Sequence, residues 1–126
     1  MDCRKLKRSK IGRIDCGYSI FWDKKTEITH LTIPSLIDDI PVIKVESGAF
    51  NDCHSLKYVI ISDNVSTIGY DAFWNCVNLE GVFVSNCLKV IKDEAFGNCE
   101  KLKFFNNNKN IKLGESVFEN TQFETQ

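Results

Sequence analysis

Ala49-Phe50-Asn51-Asp52-Cys53-His54-Ser55-Leu56 returns 23 residues later as Ala72-Phe73-Trp74-Asn75-Cys76-Val77-Asn78-Leu79, and after another 23 as Ala95-Phe96-Gly97-Asn98-Cys99-Glu100-Lys101-Leu102. A weaker copy, Val117-Phe118-Glu119-Asn120-Thr121, follows after 22. The surrounding residues keep the same phase. Val59, Val82 and Phe105 form one row, and Val65, Leu88 and Ile111 another. Ile68 and Ile91 form a further row, which Leu113 continues one residue early. Self-similarity at a fixed period of this length is the mark of a solenoid.

The unit Leu56-x-x-Val59-x-Ile61-x-x-x-Val65-x-x-Ile68 is close to the leucine-rich-repeat pattern of a short strand followed by a turn. The same rhythm starts earlier, at Ile28-x-x-Leu31-x-Ile33. One such coil cannot bury its own apolar face. Stacked coils place equivalent residues about 4.8 Å apart and build continuous apolar ladders. The expected fold is a repeat solenoid, a short right-handed leucine-rich-repeat superhelix of parallel strands. Each Ala-Phe pair is expected to open a short helical turn on the convex side, with Ala allowing close approach and Phe plugging the core.

The three copies of A-F-x-[D/N]-C-x-x-L, with the phrases Leu31-Thr32-Ile33-Pro34-Ser35 and Ile40-Pro41-Val42, resemble the BspA-like, or treponemal-type, leucine-rich repeats over about residues 26–123. The resemblance implies a surface adhesin or host-contact protein, usually longer and exported. The ends of the chain are less regular. Residues 14–22 alternate imperfectly and predict a capping strand or hairpin, so residues 1–25 read as a basic arm plus cap. Residues 26–126 read as about four coils of period 23, within one domain overall. Asn106-Asn107-Asn108-Lys109-Asn110 puts Asn107 where the ladder wants an aliphatic residue. Asn forms turns and is a poor strand former, so the last coil is expected to loosen into a cap.

The chain has 126 residues, 43% hydrophobic and 26% charged, which fits one small globular domain. Its formal charge of −1 hides an asymmetry. Arg4, Lys5, Lys7, Arg8, Lys10 and Arg13 face one acid, Asp2, in the first 13 residues, whereas the remainder carries ten basic and sixteen acidic groups. An acidic body suits nucleic acid poorly, since that affinity comes from neutralising phosphates. Only the basic arm could reach phosphates or anionic lipid. No stretch is long and apolar enough for a membrane span, and the basic N-terminal region holds no apolar run of signal-peptide length. The reading is cytoplasmic, or secreted if a leader was trimmed.

Six cysteines invite a disulfide or metal interpretation. However, Cys53, Cys76 and Cys99 share one repeat position, Thr121 takes it in the last copy, and there is no C-x-x-C. They are expected to stack as buried thiols, each behaving as a small apolar residue. Cys3, Cys16 and Cys87 stand off this ladder with no His at ligand spacing. Of the two histidines, His54 lies in a variable slot and His30 beside the first ladder strand. Neither meets a nucleophile-base-orienter pattern. Glycine-rich phosphate loops and metal motifs are missing. The acidic pairs Asp38-Asp39 and Asp93-Glu94 read as solvated charges or first-turn residues. No enzyme activity, cofactor or metal is expected.

Because strand side chains alternate, the residues between ladder positions should point to the concave face. These are His30 and Thr32, Tyr58 and Ile60, Gly81 and Phe83, and Phe104 and Asn106. Tyr58, Ile60, Phe83 and Phe104 would form an exposed apolar patch with a notch at Gly81. Such patches usually mark contacts, and aromatic residues dominate their energetics. Trp74 stands in a slot that is Asn51, Gly97 and Glu119 in the other copies, which makes it a convex candidate. The expected partner is another protein, with a homodimer through the concave face or C-terminal end as an alternative. The functions that fit are a protein-binding module, a small inhibitor carried by a phage or mobile element that blocks an enzyme by occlusion, or an adhesin fragment.

Overall fold

The computed structural model describes residues 11–14, 17–20, 28–106 and 110–124. Two ladders of strands run through it. The first joins β3 (His30–Ile33), β6 (Tyr58–Ile61), β8 (Gly81–Val84) and β10 (Phe104–Phe105), all parallel. Its register aligns His30, Tyr58, Gly81 and Phe104 in one row, and Thr32, Ile60 and Phe83 in the next row of the same face. The second ladder joins β5 (Ile40–Val45), β7 (Thr67–Ile68), β9 (Val90–Ile91) and β11 (Lys112–Leu113), also parallel. An antiparallel hairpin of β1 (Ile11–Ile14) and β2 (Gly17–Ile20) adds to β5 through β2. Five residues of the basic arm, Arg4, Lys5, Lys7, Arg8 and Lys10, lie outside the described residues, as does the side chain of Arg13.

The first coil is longer than the rest, since His30 pairs with Tyr58, 28 residues on. The extra length is a small hairpin in which β4 (Leu36–Ile37) pairs antiparallel with β5. Asp38 and Asp39 form its two-residue loop with φ of 51° and 64°. Positive φ at both loop residues is what a type I′ turn requires, and Asp tolerates it. This acidic pair is therefore turn chemistry, neither a helix start nor a ligand set.

The expected convex helical turns are not helices, and the described residues contain no α-helix. Each Ala-Phe segment is a run of overlapping β-turns. In the first, Ala49 N–H donates to Glu46 O (3.1 Å), Asn51 N–H to Gly48 O (3.3 Å) and Cys53 N–H to Phe50 O (3.3 Å). Gly48 and Asp52 have φ of 67° and 59°. Each is the third residue of its turn, where a type II turn needs positive φ. A left-handed residue at every fourth position stops a helix from propagating. Asp71 and Asn75, Glu94 and Asn98, and Ser116 and Asn120 repeat the arrangement. The alternate N–H groups are freed to cross to the next coil: Gly48 to Tyr70 O, Phe50 to Ala72 O and Asp52 to Trp74 O, at 2.7–2.9 Å.

The core lies between the two ladders and the turns. Leu31, Val59 and Val82 stack as one buried row, Leu56, Leu79 and Leu102 as another, and Val45, Ile68 and Ile91 as a third. Phe50, Phe73 and Phe96 are fully buried and stack face to face at 5.3 and 5.2 Å, within 6° of parallel. Phe118 continues the column at 5.8 Å but is only half-buried. A polar column runs beside it: Asn75 donates to the Asp52 carboxylate (2.7 Å), Asn98 to Asn75, and Asn120 to Asn98 (2.6 Å). At β10 the sheet stops after two residues. There the Asn106 amide accepts from Val84 N–H (2.6 Å) and donates to Val84 O (2.7 Å), standing in for the missing strand rung.

Candidate functional site

The outer face of the four-stranded sheet carries the residues singled out above. The inward residues of each strand are locked in the core, so the alternation exposes the others. Ile60, Phe83 and Phe104 are 48%, 44% and 61% exposed, and Tyr58 is half-buried. His30 is exposed and its ring lies 5.3 Å from that of Tyr58, tilted by 36°. The Thr29 hydroxyl holds its Nδ1 at 3.0 Å.

Gly81 leaves no notch. It is buried, and a Cβ there would sit 3.2 Å from Tyr58 Cδ1 and 3.3 Å from Phe83 Cε2. Both rings lean over the glycine, closing the gap between the Tyr58 row and the Phe83 row. Phe104 follows across the strand register. The outcome is a continuous aromatic and aliphatic surface rather than separate side chains. Lys57 and Lys103, both exposed, precede β6 and β10, with Glu80 before β8 in the same row. The chemistry offered is apolar contact bordered by charge.

Trp74 stands on a different face. Its indole covers Gly97 of the following coil, with Cδ1 3.0 Å from where a Cβ would be, and it stays 38% exposed. It borders a shallow groove with Glu94, Asn98, Glu119 and Asn120. The structure therefore groups Tyr58, Ile60, Phe83, Phe104 and His30 and separates Trp74 from them. Two further exposed apolar side chains, Leu36 (47%) and Tyr70 (49%), were not singled out from the sequence. Lys92 Nζ lies 5.6 Å above the Tyr70 ring. Tyr70 shares its row with Ser47, Asp93 and Glu115, so an aromatic in a polar row was the available signal.

Cys76 and Cys99 are fully buried, and their thiols donate to the carbonyls of Phe50 (3.2 Å) and Phe73 (3.1 Å) in the preceding coils. Contrary to expectation, Cys53 is only half-buried. The Cys53 thiol pulls the pKa of Cys76 down. The hydrogen bond to Cys99 and burial outweigh it and hold Cys76 well above the ordinary thiol range. Such a thiol is a poor nucleophile. Among the described residues no group of three or more His, Cys, Asp or Glu side chains is placed to hold a metal ion. No described helix is long and apolar enough to cross a membrane.

Residues 14–126 match the BspA type leucine rich repeat region in six copies. The fold is similar to the T. pallidum leucine rich repeat protein, with a TM-score of 0.81 and 28% identity over 89% of this chain. The chain spans about half of that protein, 53% of its length. A leucine-rich repeat protein from Bacteroides capillosus gives a TM-score of 0.77 and 25% identity, covering 90% of this chain and 87% of the other. A leucine rich cell surface protein from Faecalibacterium prausnitzii gives 0.68 and 28% identity, covering 81% of this chain and 29% of the other. No curated protein sequence matches significantly.

Proposed function

The chain belongs to the BspA-type leucine-rich repeat family, and we propose that it binds a partner protein through the outer face of its four-stranded sheet. Repeats of this family generally serve protein interaction. The observation that carries the reading is the continuous surface of Tyr58, Ile60, Phe83 and Phe104, held on parallel strands over a packed core. Rigid aromatics lose little entropy on docking and bury a large area, so Phe83, with strands on both sides, is the expected anchor. Phe83→Asp should leave the melting temperature within a few degrees of wild type, because the side chain is 44% exposed. It should weaken the partner captured from the native host by at least about 2 kcal/mol, the hot-spot threshold. Calorimetric titration and a thermal melt read the two effects. A variant that folds and binds like wild type refutes the assignment and moves the interface to the Trp74 side.

A second reading sets this contact at a cell surface. It is favoured by the likeness to the F. prausnitzii protein, itself described as a cell surface protein. Protease treatment of intact native cells tests it. Complete protection of the chain until lysis would sink this reading without touching the first.

A further inference from the structure

On the turn face of the stack one row changes chemistry from coil to coil: Asn51, Trp74, Gly97 and Glu119. Gly97 contributes no side chain, so the row sinks between an indole and a carboxylate. The hollow there measures about 620 Å³ and is lined by Trp74, Glu94, Gly97, Asn98, Glu119 and Asn120. It lies between coils, with Gly97 as its floor. Asn75 N–H donates to Gly97 O (2.9 Å) and Asn98 N–H to Glu119 O (2.8 Å), which ties three successive coils together along it. The Asn98 amide is fixed in turn, donating to Asn75 and accepting from Asn120. The Trp74 indole leans in, with Cδ1 and Nε1 3.0 and 3.4 Å from where a Gly97 Cβ would sit.

Charge sets the character of this hollow. Glu94 and Glu119 are exposed, and among the described residues neither carboxylate forms an ion pair or accepts a hydrogen bond. No basic side chain lines the hollow. Lys92 lies over the Tyr70 ring and Lys101 donates to Asn78, so both are engaged elsewhere. The Trp74 Nε1–H donates to nothing among the described residues, and the side chain stays partly open to solvent. An aromatic ring beside two uncompensated carboxylates attracts a cation twice over, through the ring quadrupole and through direct charge. The acidic balance of residues 14–126 adds a field of the same sign.

We propose that this hollow receives an arginine side chain of a partner polypeptide. A guanidinium is planar and weakly hydrated, so it can lie against the indole while its fork of N–H donors meets Glu119 or Glu94. A lysine ammonium is a strongly hydrated point charge and gains less from the ring. A neutral sugar would use the indole but leave both carboxylates uncompensated. The hollow is separate from the Phe83 surface and gives the chain a second point of contact.

The test uses the whole chain, isotope-labelled, with acetyl-Gly-Arg-Gly-amide as the probe, followed by NMR. The Trp74 indole N–H and the backbone amides of Gly97 and Asn98 should shift together and saturably. The same peptide with citrulline, which keeps the planar shape but not the charge, should bind about fivefold more weakly, the order of one exposed ion pair. Glu94→Gln and Glu119→Gln, both on exposed side chains, should each weaken the arginine peptide by about two- to fivefold. Trp74→Ala should weaken it by at least about fivefold, read at the Gly97 amide. Phe83→Asp should leave this binding unchanged. The proposal is overturned if the citrulline peptide binds as well as the arginine peptide, or if both Gln variants bind like wild type. It is also overturned if the shifts fall on the Phe83 sheet, or if N-acetylglucosamine moves the indole resonance at lower concentration than the arginine peptide, which would make the hollow a glycan site.

Discussion

Phe73 sits at the middle of the aromatic column, with Phe50 and Phe96 stacked on its two faces and no exposed surface. Truncation to Ala removes a buried side chain of about 170 Å², worth about 4 kcal/mol at about 25 cal/mol per Å². It also breaks two stacked pairs and opens a cavity that neighbours tied into three backbone ladders cannot collapse to fill. The expected cost is about 4–5 kcal/mol, at the upper end for buried Phe→Ala changes. A domain of this size holds about 5–15 kcal/mol in all, so the variant should remain folded with its urea midpoint sharply lowered. Phe118 is the control. It stacks on Phe96 from one side and is half-buried, so Phe118→Ala should cost about 2 kcal/mol. Urea unfolding with a shared m-value reads both. Equal costs for the two variants would refute the picture of a continuous column with one weak end.

Two further substitutions follow from local geometry. Gly48→Ala places a side chain at φ +67° and should cost about 1 kcal/mol by denaturant midpoint; a neutral result would mean that this turn relaxes. The Cys76 pKa is raised in the folded chain, so the fold favours the protonated thiol. That contribution is complete below the unfolded thiol pKa and declines as pH rises past it, from about pH 8.5 upward. Cys76→Ala should flatten this alkaline loss of stability, measured as urea midpoint against pH. An identical profile for the two proteins would assign the loss to other groups.

The period, the ladder rows and the outward-facing set were legible in the sequence, because each depends only on which residue types recur in phase. Turn geometry was harder to read. Ala-Phe suits a helix, and the counter-signal was the recurring Asp or Asn at 52, 75, 98 and 120, residues that tolerate the left-handed region. The companion row of Gly48, Asp71, Glu94 and Ser116 has no common chemistry to betray the same conformation. Gly81 was read as an empty space because composition cannot show rings from two strands leaning over one Cα. Trp74 and Gly97 are 23 apart in one row, yet that spacing does not say that the indole of one lies over the other. That the Asn run would make a poor strand was foreseen, and β10 ends at Phe105 ahead of it. The way Asn106 finishes the sheet edge was not, since it requires a side chain to imitate backbone.

The side-chain donors that reach between coils share a direction. Asn75, Cys76, Asn78, Asn98, Cys99, Lys101, Asn120 and Gln122 all donate to an acceptor 22–26 residues earlier in the chain. A polypeptide is made from its N-terminus, and domains can begin folding while synthesis continues. For this chain, every newly emerged coil therefore finds its acceptors already in place on the coil made just before it. Folding can keep pace with the ribosome one coil at a time, and no side-chain donor in this set has to wait for sequence that has not yet been translated.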